Sequence, residues 1–417
     1  MANVTFRGDA PTVAQVDTIT IGTYDASTTY KVTINGKTIS TPGTGGTNIT
    51  TAAALAALLQ ACTYPEFVEI TWGYVAAGVA ITATAQTPGL PFILSVTPTG
   101  GTGGITKAST TPNSGPSDLA VVSNYSTGAL PANGDTLIFE NLANGLLYNA
   151  DALAGVTTIA NTIFKNVKGK IGLPNWNANG YWEYRQTYLQ LKSTLVTVDC
   201  PECTLARIDL QTTACTITVT NTGPSDIPPL ETLLIKGVHA SNILNTTGGS
   251  VAVAGQYSEV STFATINQGY NTQPQSDSYV RLGHGCTIAN VNRIGGVMVG
   301  ECAISGTLTM REGAGDITIY GGAWPTIDHF AGGAKVYYLS SGTITTLTIG
   351  QGTEFNSERN QLGFTLTNVV QAFLGASFKD KNRKATWAGI KPNGCGIGEV
   401  ATGVFVDRGE SRTWLDS

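Results

Sequence analysis

The stretch AISGTLTMREGAGDITIYGG, residues 303–322, contains two short segments in which apolar and polar residues alternate, separated by a glycine-rich corner. Alternation with a period of two is typical of a β-strand that buries one face, whereas a helix needs a period of about 3.6 residues. The same arrangement recurs through the second half of the chain. The apolar centres there lie nine to eleven residues apart, at Leu308, Ile317, Ile327, Val336 and Leu347.

Short strands at this spacing, with turn residues between them, indicate a sandwich, a barrel or a β-solenoid. The solenoid explains more of the pattern, because each strand would pair with the equivalent strand one turn further along. Val, Ile, Leu and Cys would then stack inside, and the corners would take the Gly, Asn and Asp residues that the sequence supplies. We therefore predict a mainly β protein with a β-solenoid domain over residues 195–378.

The composition fits a β protein with an uncharged surface. Of 417 residues, 41% are hydrophobic and only 12% are charged, about half the usual 25% or so. The net charge is −5 and no basic patch interleaved with aromatic residues is present, so we expect no nucleic-acid partner. No apolar run reaches the roughly 18 residues of a membrane span, and the first residues do not have the pattern of a secretory signal. We expect no membrane partner and no export by the ordinary route.

The N-terminal part of the chain has a different pattern. Residues 16–99 predict a small α+β module, because alternating segments flank an Asn35-Gly36 hairpin signal and an Ala- and Leu-rich helix over residues 50–63. Leu55, Leu58, Leu59 and Cys62 would form the buried stripe of that helix. We interpret residues 1–15 as an N-terminal arm and the Gly/Ser/Thr/Pro-rich residues 100–118 as a linker.

Residues 119–194 predict a turn-rich β segment that contains an unusual aromatic cluster. Trp176, Trp182 and Tyr184 lie close together in it. They have two interpretations, a cap over the open end of the solenoid or a contact surface for a sugar or a protein. We favour the cap.

Residues 379–417 are interpreted as a C-terminal tail. A dense charge run, best explained as a solvated face, is formed by Lys379, Lys381, Arg383 and Lys384. A short strand pair over residues 398–407 would finish the chain, and it could cap the solenoid or reach a neighbouring subunit.

The seven cysteines are an odd number in a long chain, which does not indicate a disulfide framework. Cys200 and Cys203 form a CxxC pair, but a zinc site needs four ligands at recognised spacing, and the nearest candidates, Cys215 and His239, do not supply it. A redox CxxC would lie near a βαβ pattern, which is absent from the sequence. We predict buried cysteines and no metal or other cofactor.

The acids of the repetitive region are the candidates for catalysis on polysaccharide, which needs two carboxylates at a controlled separation. They are Glu301, Glu312, Asp316 and Asp328, with His329 beside the last. They form no dense cluster, and acids in such chains more often bond corner backbone. We predict no catalytic residue and no enzymatic activity.

Five stretches of the N-terminal part resemble virion structural proteins of tailed bacteriophages. They are TFRGDAPTVAQVDTITIG, YKVTINGKTIS, TYPEFVEITWGY, ITATAQTPGLPFILSVTPTGGTGG and NYSTGALPANGDTLIFEN. The resemblance covers roughly the first 175 residues and supplies no catalytic residues.

The resemblance implies a particle component located in the virion. The preferred expectation is a capsid decoration, or cement, protein. It would be a homotrimer bound to the outer surface of the major capsid protein, with Phe6 and Arg7 of the arm, or the small module, making the contact. The alternative is a tail fibre or tailspike that binds, and could cleave, host glycan. A secreted bacterial adhesin is a third reading, which the absence of a signal pattern disfavours.

Overall fold

The computed structural model describes residues 2–226, 230–255, 258–269, 278–311, 313–372, 376–380, 382, 384–387, 405–407 and 413–414. The chain is mainly β and forms two large parallel sheets and two small antiparallel sheets. The first elements, in chain order, are β1 (Asn3–Phe6), β2 (Val16–Thr23), β3 (Thr29–Ile34), β4 (Lys37–Pro42), α1 (Asn48–Gln60), α2 (Pro65–Val68), β5 (Ile70–Tyr74), β6 (Ala80–Ala85), β7 (Ser95–Thr99) and β8 (Gly104–Thr111).

The next elements build the large sheets, and a 3₁₀ turn at Val122–Asn124 precedes them. The strands are β9 (Thr136–Glu140), β10 (Asn161–Lys165), β11 (Leu189–Gln190), β12 (Leu195–Cys200), β13 (Ala206–Asp209), β14 (Thr216–Thr222), β15 (Leu233–Lys236), β16 (Ile243–Thr246), β17 (Ser250–Val253), β18 (Ser261–Gln268), β19 (Tyr279–Leu282), β20 (Cys286–Arg293), β21 (Val297–Gly300), β22 (Thr307–Met310), β23 (Ile317–Ile319), β24 (Thr326–His329), β25 (Lys335–Tyr338), β26 (Thr343–Ile349), β27 (Glu354–Asn356), β28 (Phe364–Ala372), β29 (Ser377–Lys379), β30 (Ala385–Trp387), β31 (Phe405–Asp407) and β32 (Thr413–Trp414).

The predicted solenoid is confirmed and winds through about ten turns. From β12 to β31, successive strands alternate between a 13-stranded and a 12-stranded sheet, so one turn contributes one strand to each. The last strand, β32, pairs antiparallel with β31 in the smaller sheet. Leu308 pairs with Ile327 and Ile327 with Leu347 in the first sheet, whereas Ile317 pairs with Val336 in the second. The nine-to-eleven-residue spacing in the sequence is therefore half a turn, and all five side chains are fully buried.

Stacked aromatic rings reinforce both ends of this core. Phe139 stacks on Phe164 with ring centroids 4.9 Å apart. Near the other end, Phe355 lies between Tyr338 at 5.8 Å and Phe378 at 5.2 Å. Each such pair adds about 0.5–1.5 kcal/mol beyond burial of its area, so the columns help to hold the turns in register.

The N-terminal strand closes one end of the solenoid and does not form a free arm. Strand β1 pairs in parallel with β9, placing Phe6 beside Phe139. Phe6 is 1% exposed and packs against Tyr125, whose ring centroid is 5.2 Å away. The Ser126 N–H donates to the Thr5 carbonyl at 2.8 Å, so residues around Tyr125 cover the outer edge of β1. The alternation in a four-residue strand is too short to be recognised in the sequence.

Between β1 and β9 the chain forms two antiparallel sheets, in the orders β5-β6-β2-β8 and β4-β3-β7. Helix α1 begins after the cap Thr47, whose side chain accepts from the Thr50 N–H, and it packs against β2, β4 and β5. Leu55 and Leu59 are buried, as predicted, but Leu58 is 46% exposed. A separate hydrophobic cluster fills this region.

The predicted boundaries around residues 100–194 and after residue 379 differ from those observed. Strand β8 lies inside the predicted linker; its residues 106–110 are exposed, so no alternation marked it. Strands β9, β10 and β11 of the turn-rich segment already belong to the large sheets. In the predicted tail, β30 extends the larger sheet, and β31 pairs with β29 and β32. Lys381, Arg383 and residues 398–404 of the predicted strand pair lie outside the described residues.

Candidate contact surface

The aromatic cluster predicted near residue 180 forms a tight hairpin on the surface. The Asn177 N–H donates to the Tyr181 carbonyl at 2.8 Å, and the Gly180 N–H donates back to the Asn177 carbonyl at 3.0 Å. Gly180 has φ +85°, a conformation that a residue without a Cβ adopts readily. This turn sets Trp176 and Trp182 opposite each other in an antiparallel bridge.

The two tryptophans are held in one arrangement and remain largely in solvent. Trp176 is 56% exposed and Trp182 is 64% exposed. Their rings meet edge to face with centroids 5.3 Å apart. Because tryptophan gains much free energy on burial, a rigid exposed pair is suited to bind a partner.

Arg185 ties the hairpin to the antiparallel region. Its Nε and Nη2 donate to the two carboxylate oxygens of Glu183, at 2.7 and 3.0 Å. Its Nη1 donates to the Pro91 carbonyl at 3.0 Å, and Nη2 also lies 3.8 Å from Glu69. Tyr181 donates its hydroxyl to Glu69. These groups form a largely buried clamp between the two parts of the molecule.

Electrostatics of the clamp favour the charged forms. Burial opposes ionisation of Glu183, but the hydrogen bonds and charge of Arg185 outweigh it, so the pKa of Glu183 lies below its ordinary value. The pKa of Arg185 is raised, because the acids around it outweigh its own burial. The clamp therefore keeps its ion pair at neutral pH.

A second set of contacts extends the exposed surface beyond the hairpin. Asn35 donates to the Trp182 carbonyl at 3.2 Å and to Glu66 at 2.8 Å. Lys37 pairs with Glu66 at 2.9 Å, and its ammonium lies 5.1 Å from the ring centre of Tyr64, which is 44% exposed. The exposed rings of Tyr64, Trp176 and Trp182, which these contacts link indirectly, are together called the Trp surface below.

Some of the contact residues predicted from the sequence are exposed, and others are buried. Trp176 and Trp182 are available to a partner, whereas Tyr184 is half-buried against the core of the antiparallel region. Phe6 is enclosed in the solenoid core, so its side chain has no surface to offer a capsid. Arg7 is exposed beside β1, and its N–H bonds to the Asn124 carbonyl.

The favoured interpretation of the aromatic cluster as an end cap differs from the structure. The hairpin joins the side of the solenoid to the antiparallel region through Arg185 and Asn35, while β1 and the segment around Tyr125 cover the first turn. The sequence signal that could have indicated the clamp is the pair Glu183 and Arg185, two residues apart among aromatic residues. Its partner Glu69 lies 116 positions earlier and could not be identified from spacing.

Five of the seven cysteines occupy the buried positions predicted for them. Cys200, Cys203, Cys215, Cys286 and Cys302 are buried, Cys62 is half-buried, and Cys395 lies outside the described residues. Burial raises the pKa of the Cys203 and Cys215 thiols to about 12. In the described part of the chain, no group of three or more His, Cys, Asp and Glu residues could hold a metal ion.

The acids considered for catalysis are engaged separately. Glu301 pairs with Arg281 at 3.2 Å, and Asp316 accepts the Lys335 N–H at 2.8 Å. Asp328 and His329 are adjacent on β24 and so face opposite sides of its sheet. His329 is fully buried, and Glu312 lies outside the described residues.

Neither a family model nor a curated protein matches this sequence. Among the residues described, no helix has both the length and the apolar character needed to cross a membrane.

Proposed function

We propose that the protein is a structural component of a tailed-bacteriophage virion. In this proposal it is a capsid decoration protein, which binds and stabilises the outer surface of the major capsid protein as a homotrimer. Its role is docking without turnover, and it needs neither cofactor nor nucleic acid. The resemblance of the first part of the chain to virion proteins is one support, and the continuous solenoid, suited to survival outside a cell, is another.

The observation that carries the docking role is the exposed tryptophan pair on a hydrogen-bonded hairpin. Trp176 and Trp182 are 56% and 64% exposed, and the hairpin hydrogen bonds and the Arg185 clamp fix their position. Rigid aromatic side chains make strong interface anchors, because little conformational entropy is lost when a partner covers them. We further propose that residues 16–111 act as the small α+β docking module, to which the clamp fixes this surface.

The number of copies per particle tests the assignment. Particles are purified from a host that carries the gene, and the chain is quantified against the major capsid protein by gel densitometry. A decoration protein is expected at hundreds of copies per particle, comparable to the capsid protein. A few tens of copies would contradict decoration and favour a spike. Absence of the chain from particles would reject a virion role altogether.

A tailspike or tail fibre that binds host glycan is the second candidate function. The observation that favours it is a cleft of about 510 Å³ on the outside of the 12-stranded sheet, which Asp209, Lys236 and Glu259 line. The Lys236 ammonium pairs with Asp209 at 3.4 Å. Clearing of capsular polysaccharide by the purified protein in a plate assay would support this candidate, and no clearing is expected from a decoration protein.

A further inference from the structure

Strand β8 forms an open edge of the four-stranded antiparallel sheet. It is last in the order β5-β6-β2-β8, and within the described part of the chain β2 is the only strand that pairs with it. The pairing runs from Thr23 opposite Gly104 to Val16 opposite Thr111. An edge strand leaves alternate N–H and C=O groups unpaired on its outer side, where another extended chain can bond to them.

The pairing with β2 is irregular at both ends, but two other common protections of an edge, an outward lysine and a proline, are absent from β8. Residues 106–110 are all exposed, so both faces of this part of β8 are open to solvent. Lysine commonly guards an edge by pointing its charge outward. The ammonium of Lys107 instead lies 3.3 Å from Asp17 on β2, its own neighbour in the sheet. No proline interrupts the strand.

An apolar cleft runs beside the same edge. Ser109 and Thr111 of β8 line a cavity of about 740 Å³, together with residues from the β6–β7 connection and from the 3₁₀ turn. Three apolar side chains that line it are substantially exposed, at 36% for Val13, 57% for Ile93 and 48% for Val122. Val13 continues the line of β2 and pairs with Ser114, so it lies on the inner side of this edge. A strand added to the outer side of β8 could direct alternate side chains towards Ile93 and Val122.

The charges in this cleft indicate the character of the added strand. Arg185 also lines the cleft, but its guanidinium is already bonded to Glu183 and to the Pro91 carbonyl. Asp151 is exposed at the cleft and forms no ion pair with another described residue. A lysine or arginine in the incoming chain would compensate this carboxylate.

From these features we infer that the β8 edge binds an extended peptide segment of a partner polypeptide by strand addition. The segment has apolar residues at alternate positions, facing Ile93 and Val122, and a basic residue near Asp151. Main-chain hydrogen bonds supply affinity and the cleft supplies selectivity. The β8 edge is distinct from the Trp surface, and the inference holds whether or not the protein belongs to a particle.

A synthetic peptide tests the inference with the whole chain. The probe is acetyl-Lys-Val-Thr-Val-Thr-Val-Thr-amide, and its control carries N-methyl groups at alternate residues, which removes main-chain donors but keeps the side chains. Calorimetry should show saturable binding of the probe alone. Hydrogen exchange of residues 104–111 should slow in its presence, with little change in the solenoid. Failure of the probe to bind, or equal binding of the control, would overturn the proposal.

Two proline variants separate edge binding from loss of folding. Adjacent residues of a strand direct their N–H groups to opposite edges of the strand. One of the two variants Ala108→Pro and Ser109→Pro therefore removes an N–H that points outward, and the other removes an N–H that points to β2. The outward variant should keep the wild-type Tm and weaken the peptide about tenfold, the equivalent of one or two main-chain hydrogen bonds. Unchanged affinity in both variants would reject the site.

Two further measurements test the role of the Asp151 charge and whether a second copy of the chain occupies the edge. Asp151→Asn should weaken the lysine-containing probe several-fold and leave a probe with Thr in place of Lys unaffected. A dimer in light scattering that the outward proline variant dissociates would mean that a second copy of the chain occupies the edge. That result would overturn the assignment to a separate partner.

Discussion

The solenoid and the antiparallel region stabilise their strands in different ways. In the solenoid paired strands lie 17 to 34 residues apart in the sequence, and the same inward position is filled turn after turn, as in Leu308, Ile327 and Leu347. In the antiparallel region, β2 pairs with β6 and β8, which lie far apart in the sequence, and one helix covers the sheets. Close packing between turns therefore dominates the solenoid, whereas long-range pairing and one charged clamp dominate the N-terminal part.

The largest effect is expected at the clamp between the two regions. Arg185→Ala leaves the enclosed carboxylate of Glu183 without its partner, which should lower the free energy of unfolding by about 3–5 kcal/mol. Because the clamp joins the regions, unfolding in denaturant should separate into two transitions, with the antiparallel region unfolding first. Circular dichroism and tryptophan fluorescence would follow them. A single transition at the wild-type midpoint would contradict the role of the clamp.

The next largest effect on stability is expected from a glycine substitution in the solenoid, compared with one in the antiparallel region. A Cβ at Gly283, at a corner of the solenoid, would lie 1.9 Å from the Ala254 carbonyl oxygen of the previous turn, whereas one at Gly22 in β2 would meet nothing within 4 Å. Gly283→Ala should destabilise by about 1–3 kcal/mol through overpacking. Gly22→Ala should change stability by no more than about 0.5 kcal/mol. Equal midpoints for the two variants in urea would show that the turns are not closely stacked.

A smaller effect concerns pH and the solenoid core. Burial lowers the pKa of His329 to about 4, against about 6.5 in an unfolded chain. Between these values the unfolded state binds more protons, so stability falls as the pH falls, by up to about 1.4 kcal/mol per unit from this group. His329→Leu should reduce that slope between pH 6.5 and 4 in denaturant titrations. Glu183 also lowers stability as the pH falls, but it does so equally in wild type and in His329→Leu. An unchanged slope of stability against pH in the variant would contradict the burial of His329.

The smallest effect on folding is expected at the Trp surface. Trp182→Ala should change the free energy of unfolding by only about 0.5 kcal/mol, because the side chain is mostly in solvent. Its emission should shift little on folding compared with that of the fully buried Trp324. A loss of several kcal/mol would mean that the ring is a structural cap, as the sequence first suggested.

The two regions also differ in what their sequences reveal. The solenoid could be predicted because strands such as β22 and β23 repeat the alternation of apolar and polar residues at half-turn spacing, so a local pattern reports a global fold. Strand β1 could not be predicted, since it has four residues and its partner β9 lies 133 positions away. Strand β8 was missed for another reason: an exposed edge has no buried face to impose alternation.

The arrangement of the candidate contact residues was predictable only in part. The density of aromatic residues drew attention to Trp176, Trp182 and Tyr184, but density does not distinguish an exposed ring from a half-buried one. The difference arises from Arg185, whose bonds to Glu183 and to the Pro91 carbonyl orient the hairpin. Bonds to a main-chain carbonyl leave no trace in side-chain spacing, so the sequence alone could not show which of these rings are exposed.

Binding to particles tests the central proposal, docking through the Trp surface, most directly. Purified chain is mixed with phage particles depleted of it, and the bound fraction is measured by co-sedimentation for wild type, the double variant Trp176→Ala/Trp182→Ala and the control Tyr320→Ala. Tyr320 is 54% exposed on the solenoid, so Tyr320→Ala removes an exposed aromatic ring that lies outside the Trp surface. We expect binding by wild type and control and its loss in the double variant. Equal binding by all three would contradict docking through the tryptophan pair.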